Sequence, residues 1–292
     1  MSSIAPIHRF DDSTWGDGGP SRCLEPLIEG GAVLHFARLT FALQPGESRF
    51  LDPGWADGRA KNISLRGTNG KLRGALGDPA GRLALTAMLE RFAKVSEALA
   101  LRLFPFYRGA LRRGNTSLRP VRVEARATSL RRDDTRLHVD AFPSNPMRGT
   151  RLLRVFCNVN PHGEARCWRI GESFEAHASR FLPSIARPLP GSSWLLRQLR
   201  ITKRRRSEYD HVMLQLHDRA KADFDFQRSA PQSSVDFAPG ATWVVFSDQV
   251  PHAATSGQHL LEQTFYLEVE QMQHPEASPL RTLERLLGRA LR

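Results

Sequence analysis

LHVDAFPSNPMRGTRLLRVFCNVNP, residues 137–161, holds two runs of alternating side chains joined by a turn rich in Pro, Ser, Asn and Gly. Alternation with a period of two marks a half-buried strand, because successive side chains point to opposite faces of a sheet. His138 and Asp140 therefore share a face, and in the second run Arg154, Phe156, Asn158 and Asn160 do the same. Upstream, RPVRVEARA (119–127) reads as another strand. Downstream, ATWVVFSD (241–248) and HLLEQTFYLEV (259–269) read as two more, with the turn-rich QVPHAATSGQ (249–258) between them.

Helical spacing replaces this alternation in three places. Asp78 is a suitable N-cap with Pro79 at the first helical position, and Leu83, Leu85, Met88, Leu89, Phe92 and Val95 recur at helical intervals, predicting a helix over 78–103. Ser207 can cap a second helix running to 227, in which Val212, Leu216, Ala220 and Phe224 fall four apart. The basic, leucine-rich segment 276–292 predicts a third. Strands on both sides of a helical insertion predict a mainly β chain with α: a jelly-roll, or double-stranded β-helix, of the cupin-like kind with flanking helices. We expect one domain over 1–292, with an irregular segment at 1–50 that includes one or two strands around AVLHFARLTFAL and a barrel core over 118–270.

The chain has 292 residues, 40% of them hydrophobic, enough for a sizeable core. Lys and Arg number 42 against 30 for Asp and Glu, and the formal charge of +12 favours anionic partners. Three cysteines with no C-x-x-C pair give neither a disulfide framework nor a zinc knuckle, which fits a reducing cytoplasmic setting. The first thirty residues lack the apolar run of a signal peptide, and no stretch reaches the roughly 18 apolar residues of a membrane span.

His138 and Asp140, two apart on one face, can grip one ion together. With 10 histidines in the chain, an H-x-D tripeptide arises by accident in about half of such sequences, so it says little alone. His252, directly after a strong strand in a turn that can approach an earlier strand of a closed sandwich, supplies a third ligand. Two imidazoles and a carboxylate leave three adjacent positions of an octahedral ion open, the arrangement of iron(II) oxygenases, whereas zinc usually takes tetrahedral sites. The open positions suit a 2-oxo acid and dioxygen. Anchoring the far carboxylate of 2-oxoglutarate calls for a planar fork of donors. Arg154 is the expected anchor, with Asn158 on its face and Gln263 as a second donor; a surface role for Arg154 is an equally good reading. His211, His217, His162 and His259 are expected to be structural or solvated.

At these residues the sequence resembles the Kdo hydroxylase family of iron(II)/2-oxoglutarate enzymes over most of its length. The stretches that carry the resemblance are ADGRAKNISL (56–65), HVDAFPSNPMRGTRLLRVFCNVNP (138–161), YDHVMLQLHDRAKAD (209–223) and VPHAATSGQHLLEQTFYL (250–267). The resemblance implies iron(II) on His138, Asp140 and His252, with 2-oxoglutarate and O2 as co-substrates. It also implies hydroxylation at C3 of 3-deoxy-D-manno-oct-2-ulosonic acid (Kdo) on a Kdo–lipid A precursor of lipopolysaccharide. Many oxygenases place Arg or Lys about ten residues after the distal histidine, where this chain has Glu262 and Gln263.

An anionic glycolipid would account for the positive balance, with Arg59, Lys61 and Asn62 as candidates for a sugar carboxylate; a turn with exposed charges explains them as well. RQLRITKRRR (197–206) reads first as a solvated loop. The C-terminal leucines either pack on the barrel or lie on an anionic bilayer at the cytoplasmic face of an inner membrane. Nucleic acid is not the expected partner. The competing functions are the same chemistry on nucleic acid or protein, and a cupin-like binding module without catalysis.

Overall fold

The computed structural model describes residues 4–15, 21–67, 69–124 and 129–292. Eleven strands among them form two sheets: β1 (Ile7–Phe10), β2 (Val33–Phe36), β3 (Ile63–Leu65), β4 (Leu72–Arg73), β5 (Arg112–Arg119), β6 (Arg151–Asn158), β7 (Arg166–Gly171), β8 (Gln232–Phe237), β9 (Thr242–Phe246), β10 (His252–Ser256) and β11 (Leu260–Leu267). The major sheet has the order β1-β2-β9-β6-β11-β5-β3-β4 and the minor one β10-β7-β8. An isolated bridge between His138 and His252 lays the segment before Asp140 along the free side of β10. Every pair is antiparallel except β1 with β2. Two facing antiparallel sheets make the predicted jelly roll.

Alternation along β6 decides which side chains see the barrel interior. Phe156 points inward and packs with Trp168, Trp243, Val235 and Phe237 between the sheets. Leu153 and Val155 point outward and meet the helices. Those helices are α1 (Glu25–Glu29), α2 (Pro79–Leu103), α3 (Phe174–Phe181), α4 (Ser192–Gln198), α5 (Glu208–Ala222), α6 (Phe224–Ser229) and α7 (Pro279–Leu287). The Asp78 side chain accepts from Gly81 N, and Leu85, Met88, Leu89 and Phe92 bury against β3, β5 and β11. Ser207 forms a reciprocal capping box with Asp210 at the start of α5.

Several expectations need correction. The helix expected over 207–227 breaks at Asp223, which leaves the helical conformation and caps α6 by accepting from Phe226 N at 2.8 Å. The strand expected at 119–127 lies earlier: β5 ends at Arg119, and 125–127 fall outside the described residues. LHVDAF contributes one bridge rather than a ladder, while the supposed turn around His252 is strand β10. The C-terminal helix spans only Pro279–Leu287 and stops where Gly288 turns left-handed at φ 65°. Leu280 and Leu283 are fully buried against the barrel, so that leucine face is not open to a bilayer.

One buried histidine away from any site yields a pH prediction. His177 on α3 stands edge-on to Phe181 at 5.2 Å and tilted to Phe226 at 5.4 Å, with no hydrogen-bond partner on either ring nitrogen among the described residues. Burial pushes its pKa down to about 4. Unfolded chains take up that proton near the usual imidazole pKa, about 6.5. Stability therefore falls as pH drops from there to about 4, by ~3 kcal/mol from this residue. Denaturant melts of the parent and of His177→Phe should diverge across that window and run parallel above it. Parallel curves throughout would refute the assignment.

Candidate metal centre

His138 and His252 face each other as a hydrogen-bonded pair: His138 N donates to His252 O at 3.1 Å, and His252 N to His138 O at 2.9 Å. Directly opposed residues of an antiparallel pair project to the same side, and the two rings lie 4.9 Å apart. Each Nδ1–H donates to a carbonyl two residues earlier, His138 to Arg136 O at 2.7 Å and His252 to Val250 O at 2.8 Å. Both rings are thereby fixed with the Nε2 lone pair free toward the shared space. Asp140 N donates to Ser247 O at 2.9 Å, fastening the third residue to the end of β9. His138 Nε2 lies 3.8 Å from Asp140 Oδ1, and one ligand atom from each of the three residues falls within 4.8 Å of the others.

Close approach of backbone shapes the same region. Gly171 at the end of β7 donates to Pro251 O at 2.8 Å, and a Cβ there would stand 3.1 Å from Pro251 Cβ. Trp168 stacks on His252 at 4.9 Å with an interplanar angle of 18°. His217 on α5 stands edge-on to His138 at 5.2 Å and bonds Asp218 through Nδ1 at 3.0 Å.

The electrostatics keep all three groups in ligand form. Burial, reinforced by Lys221 and His252, holds His138 well below the usual imidazole pKa, and burial lowers His252 as well. For Asp140 burial opposes ionisation, but Arg154 and the two imidazoles outweigh it and hold the carboxyl far below the carboxylate range. Neutral imidazoles and an ionised carboxylate can take a cation without first losing protons.

From Asp140 a ladder of alternating charges runs across the barrel. Arg154 bridges Asp140 at 3.1 Å and Glu262 at 2.8 Å. Glu262 also pairs with Arg119, which lies 3.7 Å from Asp134, and Asp134 is held by Lys61 at 2.7 Å. Between this ladder and the histidines is a small cavity walled by Lys61, Arg119, Arg154, Arg166, Trp168 and His252.

Of the expected residues, the structure brings together His138, Asp140, His252, Arg154 and Lys61. Gln263 is directed elsewhere: alternation on β11 turns it away from Glu262's face, its Oε1 accepts from Thr116 and its Nε2 donates to Thr264 O. Asn158 is spent on the backbone, donating to Glu164 O and Phe237 O and accepting from Asn160 N. Arg59 is exposed, and its own N–H donates to Asp57. Sequence reasoning missed Arg119, Arg166, Trp168 and Asp134. Arg119 is the last residue of β5 and Asp134 lies in no strand, so neither is marked as facing inward by alternation, and Arg166 and Trp168 sit on a strand that was not expected.

A jelly roll with two histidines and one aspartate converging at its mouth defines a non-haem iron(II) oxygenase. The profile of the 3-deoxy-D-manno-oct-2-ulosonic acid (Kdo) hydroxylase family matches residues 19–290, and the chain belongs to that family. Among solved structures it is similar to the apo form of the Kdo hydroxylase KdoO, described as a non-haem Fe(II) alpha-ketoglutarate dependent dioxygenase. Identity is 47%, with 98% of this chain and 97% of that one covered and a TM-score of 0.94. The cobalt(II) complex of KdoO matches at 47% identity over the same shares with a TM-score of 0.95. The complex with alphaketoglutarate and Fe(III) matches at 46%, again over 98% and 97%, with a TM-score of 0.94. No protein of curated function matches the chain by sequence.

Proposed function

We propose that this protein hydroxylates C3 of Kdo on a Kdo–lipid A precursor, producing D-glycero-D-talo-oct-2-ulosonic acid while 2-oxoglutarate becomes succinate and CO2. The observation that carries the reading is the pair of free Nε2 atoms and one ionised carboxylate meeting beside a guanidinium-walled cavity. Iron(II) held by His138, Asp140 and His252 supplies the reaction of dioxygen with the oxo acid and the transfer of one oxygen atom to a C–H bond.

The chain's own residues do the rest. The two Nδ1–H bonds and the Trp168 stack keep the imidazoles from rotating, and Arg154 orients the Asp140 carboxylate. Arg154, Arg119 and Arg166 offer planar donor forks for the far carboxylate of 2-oxoglutarate. Lys61 reaches the same cavity from its outer rim and is suited to the carboxylate of the sugar; its sequence neighbours Asn62 and the exposed Arg59 are not part of that cavity's wall. Walls made by Trp168 and Phe156 exclude water from the reacting atoms. Among the described residues no helix is long and apolar enough to cross a membrane. Because the proposed substrate is lipid-borne, the proposal includes peripheral contact with the cytoplasmic face of the inner membrane.

The test is incubation with Kdo–lipid A, iron(II), ascorbate and 2-oxoglutarate. One oxygen atom should be gained on the sugar for each succinate released. Succinate release without that gain would reject the substrate, and turnover of a polynucleotide or protein instead would replace it.

A further inference from the structure

From Leu182 to Ser207 the chain contains seven basic residues and no acidic one, against a net charge of +12 for the whole protein. Arg187, Arg197, Arg200, Lys203, Arg204 and Arg205 are exposed. The acidic residues nearest in sequence, Glu175 and Glu208, are already paired with Arg285 and Arg289 on the C-terminal segment, so the positive charge of this stretch is left uncompensated.

The same stretch is also the most apolar part of the surface. Of the eleven exposed large hydrophobic residues among the described ones, five lie here: Leu189 is 78% exposed, Trp194 51%, Leu195 51%, Leu199 61% and Ile201 51%. Contiguous exposed apolar groups ringed by cations are what an anionic lipid surface recognises: the rings and aliphatic chains enter the interface, and the cations meet the headgroups. A polynucleotide would use the cations but gain little from Leu195, Leu199 and Ile201.

The segment is held in shape rather than left as a free loop. Ser193 Oγ donates to Arg206 O at 2.7 Å, Ile201 N to Leu196 O at 3.0 Å, and Thr202 is buried beneath. Lys203 N donates to Ser144 O at 3.0 Å and Arg206 to Pro143 O. Pro143 and Ser144 belong to the loop that leaves the metal centre immediately after Asp140. Between the segment and α5 is a cavity of about 600 Å³ whose lining includes Trp194, Leu189 and Leu196 together with Arg187, Arg205, Arg219 and Glu208. Its mixed lining suits a phosphate-bearing headgroup with the top of its acyl chain.

We infer that residues 187–206 form a docking surface for an anionic phospholipid bilayer, with Trp194, Leu195, Leu199 and Ile201 inserted and the arginines at the headgroups. This deepens the proposed function, on which it rests only for the lipid-borne character of the substrate. Docking through this face sets the loop after Asp140 toward the lipid.

The test uses the full-length protein with vesicles of phosphatidylcholine alone or mixed with phosphatidylglycerol. Co-sedimentation should be at least about ten-fold stronger with the mixed vesicles and weaken as salt rises. Tryptophan emission should shift to the blue on binding, and Trp194→Phe should abolish the shift. The exposed-site variants L195S/L199S/I201S and R197S/R200S/R204S/R205S should each lose about ten-fold or more of the binding, yet turn over a soluble, deacylated Kdo glycan as the parent does. Variants that sediment like the parent, or a parent that ignores mixed vesicles or gives no blue shift, would overturn the inference. The fluorescence readout on the parent decides the matter even where a multiple variant fails to fold. Hydroxylation with no vesicle preference would remove this surface alone; vesicle binding without hydroxylation would remove only the proposed substrate.

Discussion

Asp140→Ala should abolish turnover, by about a thousandfold or more, and also destabilise the protein, a combination that neither histidine variant will show. Loss of one of three ligands weakens metal binding by well over the ~100-fold typical of losing an outer-shell partner. The aspartate has a second duty. It forms an ion pair with Arg154 at 3.1 Å inside the barrel, and removing one partner of a buried ion pair costs about 3–5 kcal/mol. His138→Ala and His252→Ala remove neutral groups, so their loss should fall on metal binding with a smaller effect on the melt. Anaerobic titration of iron(II) with 2-oxoglutarate gives the metal readout through the visible charge-transfer absorption, and urea melts give the other. An Asp140→Ala protein that still develops the absorption and turns over would refute the assignment of the site.

The second large effect belongs to Arg154. Truncation to Ala leaves Glu262 with Arg119 as its cationic partner and the Thr264 hydroxyl as a donor, and frees Asp140 to move. Hydrogen bonds to charged groups contribute about 1.5–3 kcal/mol each, so KM for 2-oxoglutarate should rise roughly 10- to 100-fold if this fork holds the co-substrate. Arg154→Lys should recover part of the melt but little of KM, because an ammonium cannot reproduce the planar fork. A variant with unchanged KM and a lowered melt would make Arg154 a positioning residue for Asp140 alone, leaving Arg119 and Arg166 as the anchors.

The metal ligands were legible because H-x-D falls in a stretch with clear alternation and His252 follows the most apolar strand of the chain. The strands that bury both faces or one strong face, β6, β9 and β11, were legible for the same reason, as were helix α2 and the start of α5 with their capping residues. What escaped was written in residues whose pattern is ambiguous. PHAATSG has only small side chains, so β10 reads as a turn, yet small residues are what let it approach β7 and the segment at His138. RCWRIG and QSSVDF hide their alternation because polar Arg166 and Ser233 share the inward face with Trp168, Ile170, Val235 and Phe237. RRGNTSLR, which forms β5, is polar because Arg113 pairs with Glu90 of α2 and the exposed Arg112 with Glu268. Arg119 likewise looks like a surface residue in sequence; only the paired register of β5 and β11 sets it against Glu262.

The row of charges from Asp140 to Lys61 has a consequence for selectivity. Every cation in it already has an internal carboxylate as its counter-ion, so Arg154, Arg119 and Lys61 present no bare positive centre to chloride or inorganic phosphate. Under the proposed function, a diacid entering the cavity would have to trade places with these carboxylates, satisfying guanidinium forks while displacing existing ion pairs. An ion that can satisfy only one fork would gain less from such an exchange, so on this reading discrimination would need no gate.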